Sequence, residues 1–269
     1  MRKWVFATLA AAVVLSSSVL FAEGTKKIQD NSFLLEEAYN QEAGVVQHIQ
    51  TFQHMKDDTW SYSFTQEWPV PGQAHQLSYT IPVLHAVGPK TETGTGDILL
   101  NYRYQLVFKE KEGIAFAPRL SVLLPTGDYK KGFGGDAAGL QTNLPLSVEF
   151  SDKWVTHWNI GATYVQGSKE PGGKKADILG FNYGLSLIWL TTENVNFMIE
   201  MAGSSNETVQ ADGTTARNDS FIINPGARFA INFKSGLQIV PGIAFPTGIG
   251  PSSGQNGIFL YLSFEHPLF

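Results

Sequence analysis

The hydrophobicity of this chain alternates residue by residue over segments of about ten residues or more. Phe221, Ile223, Pro225, Ala227, Phe229, Ile231 and Phe233 share one parity, with Asn224, Gly226, Arg228, Ala230 and Asn232 between them. Leu179, Phe181, Tyr183, Leu185, Leu187 and Trp189 alternate with Gly180, Asn182, Gly184 and Ser186. Ile98, Leu100, Tyr102, Tyr104, Leu106 and Phe108 alternate with Asp97, Asn101, Arg103 and Gln105. A period of two belongs to the β-strand. Roughly ten residues is what a tilted strand needs to cross a bilayer. A soluble sandwich also alternates, but it rarely sustains so many large apolar residues on one outward face. The pattern predicts an all-β fold, a transmembrane antiparallel β-barrel.

The two ends agree with that reading. Met1-Arg-Lys-Trp-Val-Phe-Ala-Thr-Leu-Ala-Ala-Ala-Val-Val-Leu has a basic start and an apolar stretch, then Ser16-Ser17-Ser18. This predicts a secretory signal over 1–22, cleaved after Ala22. A leader over 23–44 and a barrel over 45–269 would follow, exported to the outer membrane of a Gram-negative-type cell. The chain ends on Phe269, the terminal aromatic typical of such barrels, through which the last strand would meet the barrel-assembly machinery. There is no cysteine, so disulfides and a lipid-modified Cys are excluded. Removing 1–22 leaves 17 basic against 24 acidic side chains, a net of −7, which argues against a nucleic-acid partner.

Read with period two, the strands fall at about 45–54, 58–70, 75–87, 96–109, 113–125, 139–150, 154–167, 176–190, 194–205, 219–233, 236–247 and 256–269, about 12 strands. Short turns at 110–112, 151–153, 191–193 and 234–235 alternate with longer loops at 126–138, 168–175, 206–218 and 248–255. That asymmetry places both termini on the periplasmic side; the short hairpin His54–Asp58 is an exception. Trp68, Phe108, Phe150, Trp154, Trp189, Phe233 and Phe269 then mark the periplasmic rim. Trp60, Tyr164, Phe221 and Phe245 mark the outer one, as interfacial rings should. In the last strand Ile258, Leu260, Leu262, Phe264 and Leu268 share a parity that Phe269 breaks, which predicts a bulge or frayed end at His266-Pro267. Residues 31–42 suit a short N-terminal helix capped by Asn31 or Ser32. It would plug the barrel, lie across its mouth, or be a loosely ordered leader.

Thr93-Gly-Thr-Gly-Asp97, running on to Leu106, and Ala117-Pro-Arg-Leu-Ser-Val-Leu-Leu-Pro-Thr-Gly-Asp128 resemble the outer-membrane "MetA-pathway of phenol degradation" transporter family. Its members open a strand with T-G-x-G-D and close one with L-P-T-G-D. The resemblance spans about Glu36 to Phe269. It implies a barrel with a transport role and carries no catalytic residues over.

With the large apolar faces toward lipid, the lumen receives Glu67, Asp97, Asn101, Arg103, Lys109, Arg119, Glu149, His157, Asn159, Glu200 and Arg228. Charges there must pair or stay hydrated. Twelve strands leave space that eight would fill, so one expectation is a constriction selecting small solutes, apolar or aromatic ones among them. The alternative is a salt-bridge network sealing the lumen of a structural or surface-interaction barrel. Arg103 and Arg119 lie at comparable heights on consecutive strands, so they should be neighbours. Glu67, Asp97, Glu149 or Glu200 should then lie within reach of at least one of them. Enzymatic, metal and cofactor chemistry find no support. His157-Trp-Asn159 puts His and Asn on the lumen face without an adjacent serine, the six histidines show no ligand spacing, and Gly132, Gly134 and Gly135 precede no helix. Lysines in 128–133 and 169–175 could meet lipopolysaccharide phosphates, solvated charge being the simpler reading.

Overall fold

The computed structural model describes residue 28, residues 30–88 and residues 90–268. The expected signal over 1–22 and the terminal Phe269 lie outside them. Twelve antiparallel strands close into a barrel. They are β1 (Val45–Met55), β2 (Trp60–Trp68), β3 (His75–Ala86), β4 (Glu92–Thr95, Ile98–Tyr104 and Val107–Lys109), β5 (Ile114–Phe116 and Arg119–Leu124), β6 (Gly139–Asn143 and Leu146–Ser151), β7 (Trp154–Lys169), β8 (Lys175–Thr192), β9 (Val195–Val209), β10 (Thr215–Phe229 and Ile231–Asn232), β11 (Gln238–Ala244 and Thr247–Gly248) and β12 (Gly257–Pro267). Among the described residues no helix is long and apolar enough to cross a membrane.

β12 closes on β1 in unbroken register, from Val45 opposite Pro267 to Met55 opposite Gly257. Of the bulge or frayed end expected at His266-Pro267, this pairing shows no bulge; the strand ends at Pro267, where a missing N–H is tolerated. Closure leaves no free sheet edge along the barrel and pairs the backbone polar groups without water. Breaks in β5, β6 and β11 fall beside Pro118, Pro145 and Pro246, which have no N–H to give the ladder.

The parity read from the sequence holds. Leu100, Tyr102, Tyr104, Phe181, Tyr183, Phe229, Ile231, Ile258 and Leu260 are exposed on the outer wall, while Asn101, Arg103, Ser186, Asn224 and Arg228 are buried inside. Trp154 stacks on Trp189 at 6.1 Å, and Trp189 meets Phe197 at 6.1 Å. At the other rim Trp60 stacks on His85 at 5.2 Å and meets Phe52 at 5.9 Å.

Two expected outer loops are shorter than expected, because strand continues into them. The β7–β8 and β9–β10 hairpins continue past 167 and 205, to turns at 170–174 and 210–214. The β9–β10 ladder stays paired, from Gly203 opposite Phe221 out to Val209 opposite Thr215, so polar residues on both faces do not end these strands. The β7–β8 ladder shifts register between Val165 and Ser168 and then pairs on to Lys169 opposite Lys175. Longer connections remain at 125–138 and 249–256.

Candidate functional site: a lumen threaded by the leader

Residues 30–41 lie buried or half-buried inside the barrel, Glu42 is exposed, and no helix forms over this segment. A helix would bond its backbone to itself; here the barrel wall supplies the partners. Leu34 N–H and Leu35 N–H donate to Glu200 Oε1 at 2.8 and 3.3 Å. Glu36 N–H donates to Asn159 Oδ1 at 3.1 Å, while Asn159 Nδ2 donates back to the Glu36 carbonyl at 2.8 Å. Ala38 N–H donates to Ser147 Oγ at 2.8 Å, and Gln41 N–H to Gln76 Oε1 at 2.9 Å. Arg103 gives NH1 to the Glu37 carbonyl at 3.0 Å, NH2 to the Tyr39 carbonyl at 2.6 Å and Nε to Asn40 Oδ1 at 2.9 Å. Arg228 donates to the carbonyls of Asp30, at 2.9 Å, and Asn31.

Apolar contacts fix the same path. Phe33 is buried against Phe259 at 5.7 Å and Tyr261 at 5.6 Å. Its ring occupies a slot opened by the missing side chains of Gly226 and Gly242, where a Cβ would come within 2.5 Å of it. Leu35 fits over Gly184 in the same way, also at 2.5 Å. These are close approaches that only glycine permits.

Most of the residues expected in the lumen are there, and many of them hold the leader. Arg103 and Arg119 are direct cross-strand partners, as expected. The carboxylate meeting Arg119 is one the sequence reading did not include. Glu36 of the leader sits 2.8 Å from NH2 and accepts from Nε at 3.0 Å. Arg119 also donates to Asn101 Oδ1 at 2.9 Å, to Gln141 Oε1 at 2.9 Å and to Ser121 Oγ. Glu67 stands one step from Arg103, linked through Gln76, whose Nε2 reaches Glu67 Oε2 at 2.6 Å. Glu200 serves the leader rather than an arginine, and also accepts from Asn224 Nδ2 at 2.7 Å. Glu149 accepts the Tyr39 hydroxyl at 3.1 Å. Lys109 is exposed, near the short 110–112 turn.

Asp97 sits high in the barrel, beneath the 125–138 loop. Its carboxylate takes the N–H of Gly127 at 2.8 Å and of Gly135 at 3.3 Å. Thr126 Oγ1 accepts the Ile98 N–H at 2.9 Å and donates to the Gly96 carbonyl at 3.2 Å. Buried Phe133 lies over Gly94 and Gly96. The two glycine-aspartate motifs are thus halves of one clasp that folds this loop over the rim.

His157 does have a serine beside it, which corrects the sequence reading. Ser147 Oγ lies 2.8 Å from His157 Nδ1 across the β6–β7 pair. Both are buried, and the serine oxygen already holds the Ala38 N–H. The alternation places Ser147 inward, yet cross-strand pairing, not sequence distance, makes it a neighbour. Among the described residues no group of three or more His, Cys, Asp or Glu could hold a metal ion.

Two cavities flank the leader. The outer one, about 480 Å³, is lined by Leu34, Leu35 and Glu36 of the leader with Arg119, Leu123, Gln141, Asn143, Asn159, Val165, Ile178 and Asn182. The second, about 260 Å³, opens toward the short turns and is lined by Glu37, Tyr39, Asn40 and Gln41 among others.

Solved structures similar to this barrel include an outer membrane channel from Pseudomonas putida F1, with a TM-score of 0.63 and 12% identity over 85% of this chain and 97% of that one. The NanC porin aligns with a TM-score of 0.54 and 6% identity over 82% of this chain and 100% of its own. At these identities the likeness speaks for the fold. No curated protein sequence matches. A family model described as "Putative MetA-pathway of phenol degradation" matches residues 27–252, most of the chain, and the chain belongs to that family.

Proposed function

We propose that this protein is a passive outer-membrane channel or facilitator for small solutes, apolar and aromatic ones among them, with the leader as its constriction. The observation that carries this reading is the pair of cavities on either side of one stretch of irregular, bent chain. The obstruction is a single segment held by side chains, not a folded plug domain, so its displacement would join the two vestibules. The outer cavity sets leucine, valine and isoleucine beside asparagine and glutamine amides, with Glu36 and Arg119 paired to each other and Asp97 and Glu207 also on its lining. That lining suits a neutral solute with an apolar body and one or two hydrogen-bonding groups. The lipid-facing wall and its aromatic rims support the outer-membrane location, and lipid is the partner they imply. Lys131 pairs with Glu92 at 3.4 Å and Lys169 with Asp136 at 2.5 Å, leaving Lys130, Lys174 and Lys175 as the candidates for lipopolysaccharide phosphate. The barrel-assembly machinery would read the last strand.

The rival reading, a sealed structural barrel, is favoured by the burial of the leader and the number of its backbone bonds. Planar-bilayer conductance and liposome swelling separate the two. The channel reading expects current from the full chain and swelling with phenol-sized neutral solutes. Silence in both assays would support the sealed barrel.

A further inference from the structure

The seam where the barrel closes carries two imidazoles that the lumen does not use. His48 of β1 and His266 of β12 lie on the outward face, His266 opposite Val46 and His48 opposite Phe264 in the register. They are therefore diagonal cross-strand neighbours, a separation that aromatic side chains can bridge. Their Nε2 atoms stand 3.2 Å apart. The ring centroids are 5.3 Å apart and the planes differ by 20°, so the rings meet edge to edge in nearly one plane. Both rings are braced. His266 Nδ1 lies 2.8 Å from the Pro267 carbonyl. A carbonyl only accepts, so Nδ1 carries the proton and, in the neutral ring, Nε2 presents its lone pair. The His48 ring lies on Phe64 at 6.1 Å, with the planes 24° apart. Both histidines are half-buried, near the short-turn rim, where the neighbouring Gln47 pairs with Glu67 beside Trp68.

We propose that His48 and His266 bind one divalent transition metal ion of the kind that favours imidazole, Zn²⁺, Cu²⁺ or Ni²⁺, and so tie the first strand to the last. At metal–nitrogen distances of about 2.0–2.1 Å, nitrogens 3.2 Å apart subtend roughly 100° at the ion, between the ligand angles of a square and of a tetrahedron. The ion takes the place of the proton of an Nε2–H···Nε2 hydrogen bond, and the His48 proton moves to Nδ1. The bond from His266 to the Pro267 carbonyl is the outer support that metal-bound imidazoles usually have. Among the described residues no third His, Cys, Asp or Glu completes such a group, so water fills the remaining positions. The two histidines are 218 positions apart, and barrel closure rather than any sequence spacing brings them together.

The test is titration of the untagged, folded full chain in detergent with Zn²⁺ and with Cu²⁺. Binding there needs no open lumen, so this inference and the channel reading fail separately. One ion per chain is expected, with coupling to two nitrogens in the Cu²⁺ paramagnetic resonance spectrum. Zn²⁺ at about 100 times its dissociation constant should raise the midpoint of thermal unfolding by roughly 5 °C, because it binds the closed seam and not the open one. His48→Ala and His266→Ala should each weaken binding at least roughly tenfold, since even an outer-shell partner is worth that much, and each should remove the thermal shift. Either variant decides if the other does not fold. His54→Ala, on the same face of β1, should change neither readout. No saturable binding by the full chain would leave a plain hydrogen bond between the rings and overturn the proposal. So would binding that His48→Ala and His266→Ala retain, or a loss just as large in His54→Ala.

Discussion

Arg119 enters the lumen from β5, where Glu36 of the leader meets it in a two-point contact. The pair is mostly shielded from water, with side chains 13% and 26% exposed, so it should matter more than a surface ion pair. Arg119→Glu would set two carboxylates together and push the leader away. The expected loss is about 2–3 kcal/mol of leader docking, read as faster proteolysis of the leader in the folded barrel and a larger conductance. Combining it with Glu36→Arg should restore both readouts. A double variant no better than the single would mean the pair does not hold the leader. Ser147 gives a second case. Ser147→Ala leaves the Ala38 N–H and His157 Nδ1 unpaired in a buried place, costing about 1–3 kcal/mol. Thermal unfolding should show that loss, whereas Ser147→Thr should recover part of it. At this scale the sequence was legible by parity: Arg103, Arg119, Arg228 and Glu200 point inward as alternation required. It was silent on partners, because the carboxylate for Arg119 comes from a segment with no alternation to place it.

The leader shows why an element can be misread. Phe33, Leu34, Leu35, Ala38 and Tyr39 have a spacing that suits a helix, and Asn31 and Ser32 are good caps. Inside the barrel the backbone finds Glu200, Asn159, Ser147, Gln76 and Arg103 waiting, so an irregular, bent path satisfies it in place of a helix. Side-chain slots then choose the path. Gly242→Val would fill the space of the Phe33 ring, 2.5 Å from where the new Cβ would stand. The barrel should still fold, since valine favours strands, while the leader is displaced and conductance rises. Phe33→Ala should act alike by emptying the slot, at about 3–5 kcal/mol. An unchanged conductance in both would show that Phe33 does not position the constriction. The β9–β10 hairpin was misread for the opposite reason. Its outer half has polar residues on both faces, so no alternation marks it as strand, yet its ladder runs on unbroken.

For the whole molecule, the barrel wall and its contents were unequally legible. The wall follows one main rule, apolar outward and polar inward; β1 departs from it with His48, Gln50 and His54 on the outward face, and Val155, Ile188, Val240 and Phe259 are apolar residues buried inward. The contents depend on which segment occupies the lumen, which no local pattern records. Charge makes this testable. Residues 30–42 carry Asp30, Glu36, Glu37 and Glu42 and no lysine or arginine. Arg103, Arg119 and Arg228 remain on the wall when this segment is removed. A chain lacking 30–42 should therefore still close, because its hydrogen-bond ladder runs from β1 round to β12 without the leader. Water entering the widened lumen would hydrate the side chains that the leader leaves behind, so the loss of stability should stay well short of unfolding. Conductance should rise, and selectivity should move toward anions relative to the full chain, since four carboxylates leave and the three guanidinium groups stay. Reversal potentials in asymmetric KCl measure that shift. A move toward cations, or no move with a larger current, would mean that the leader does not set the charge of the permeation path.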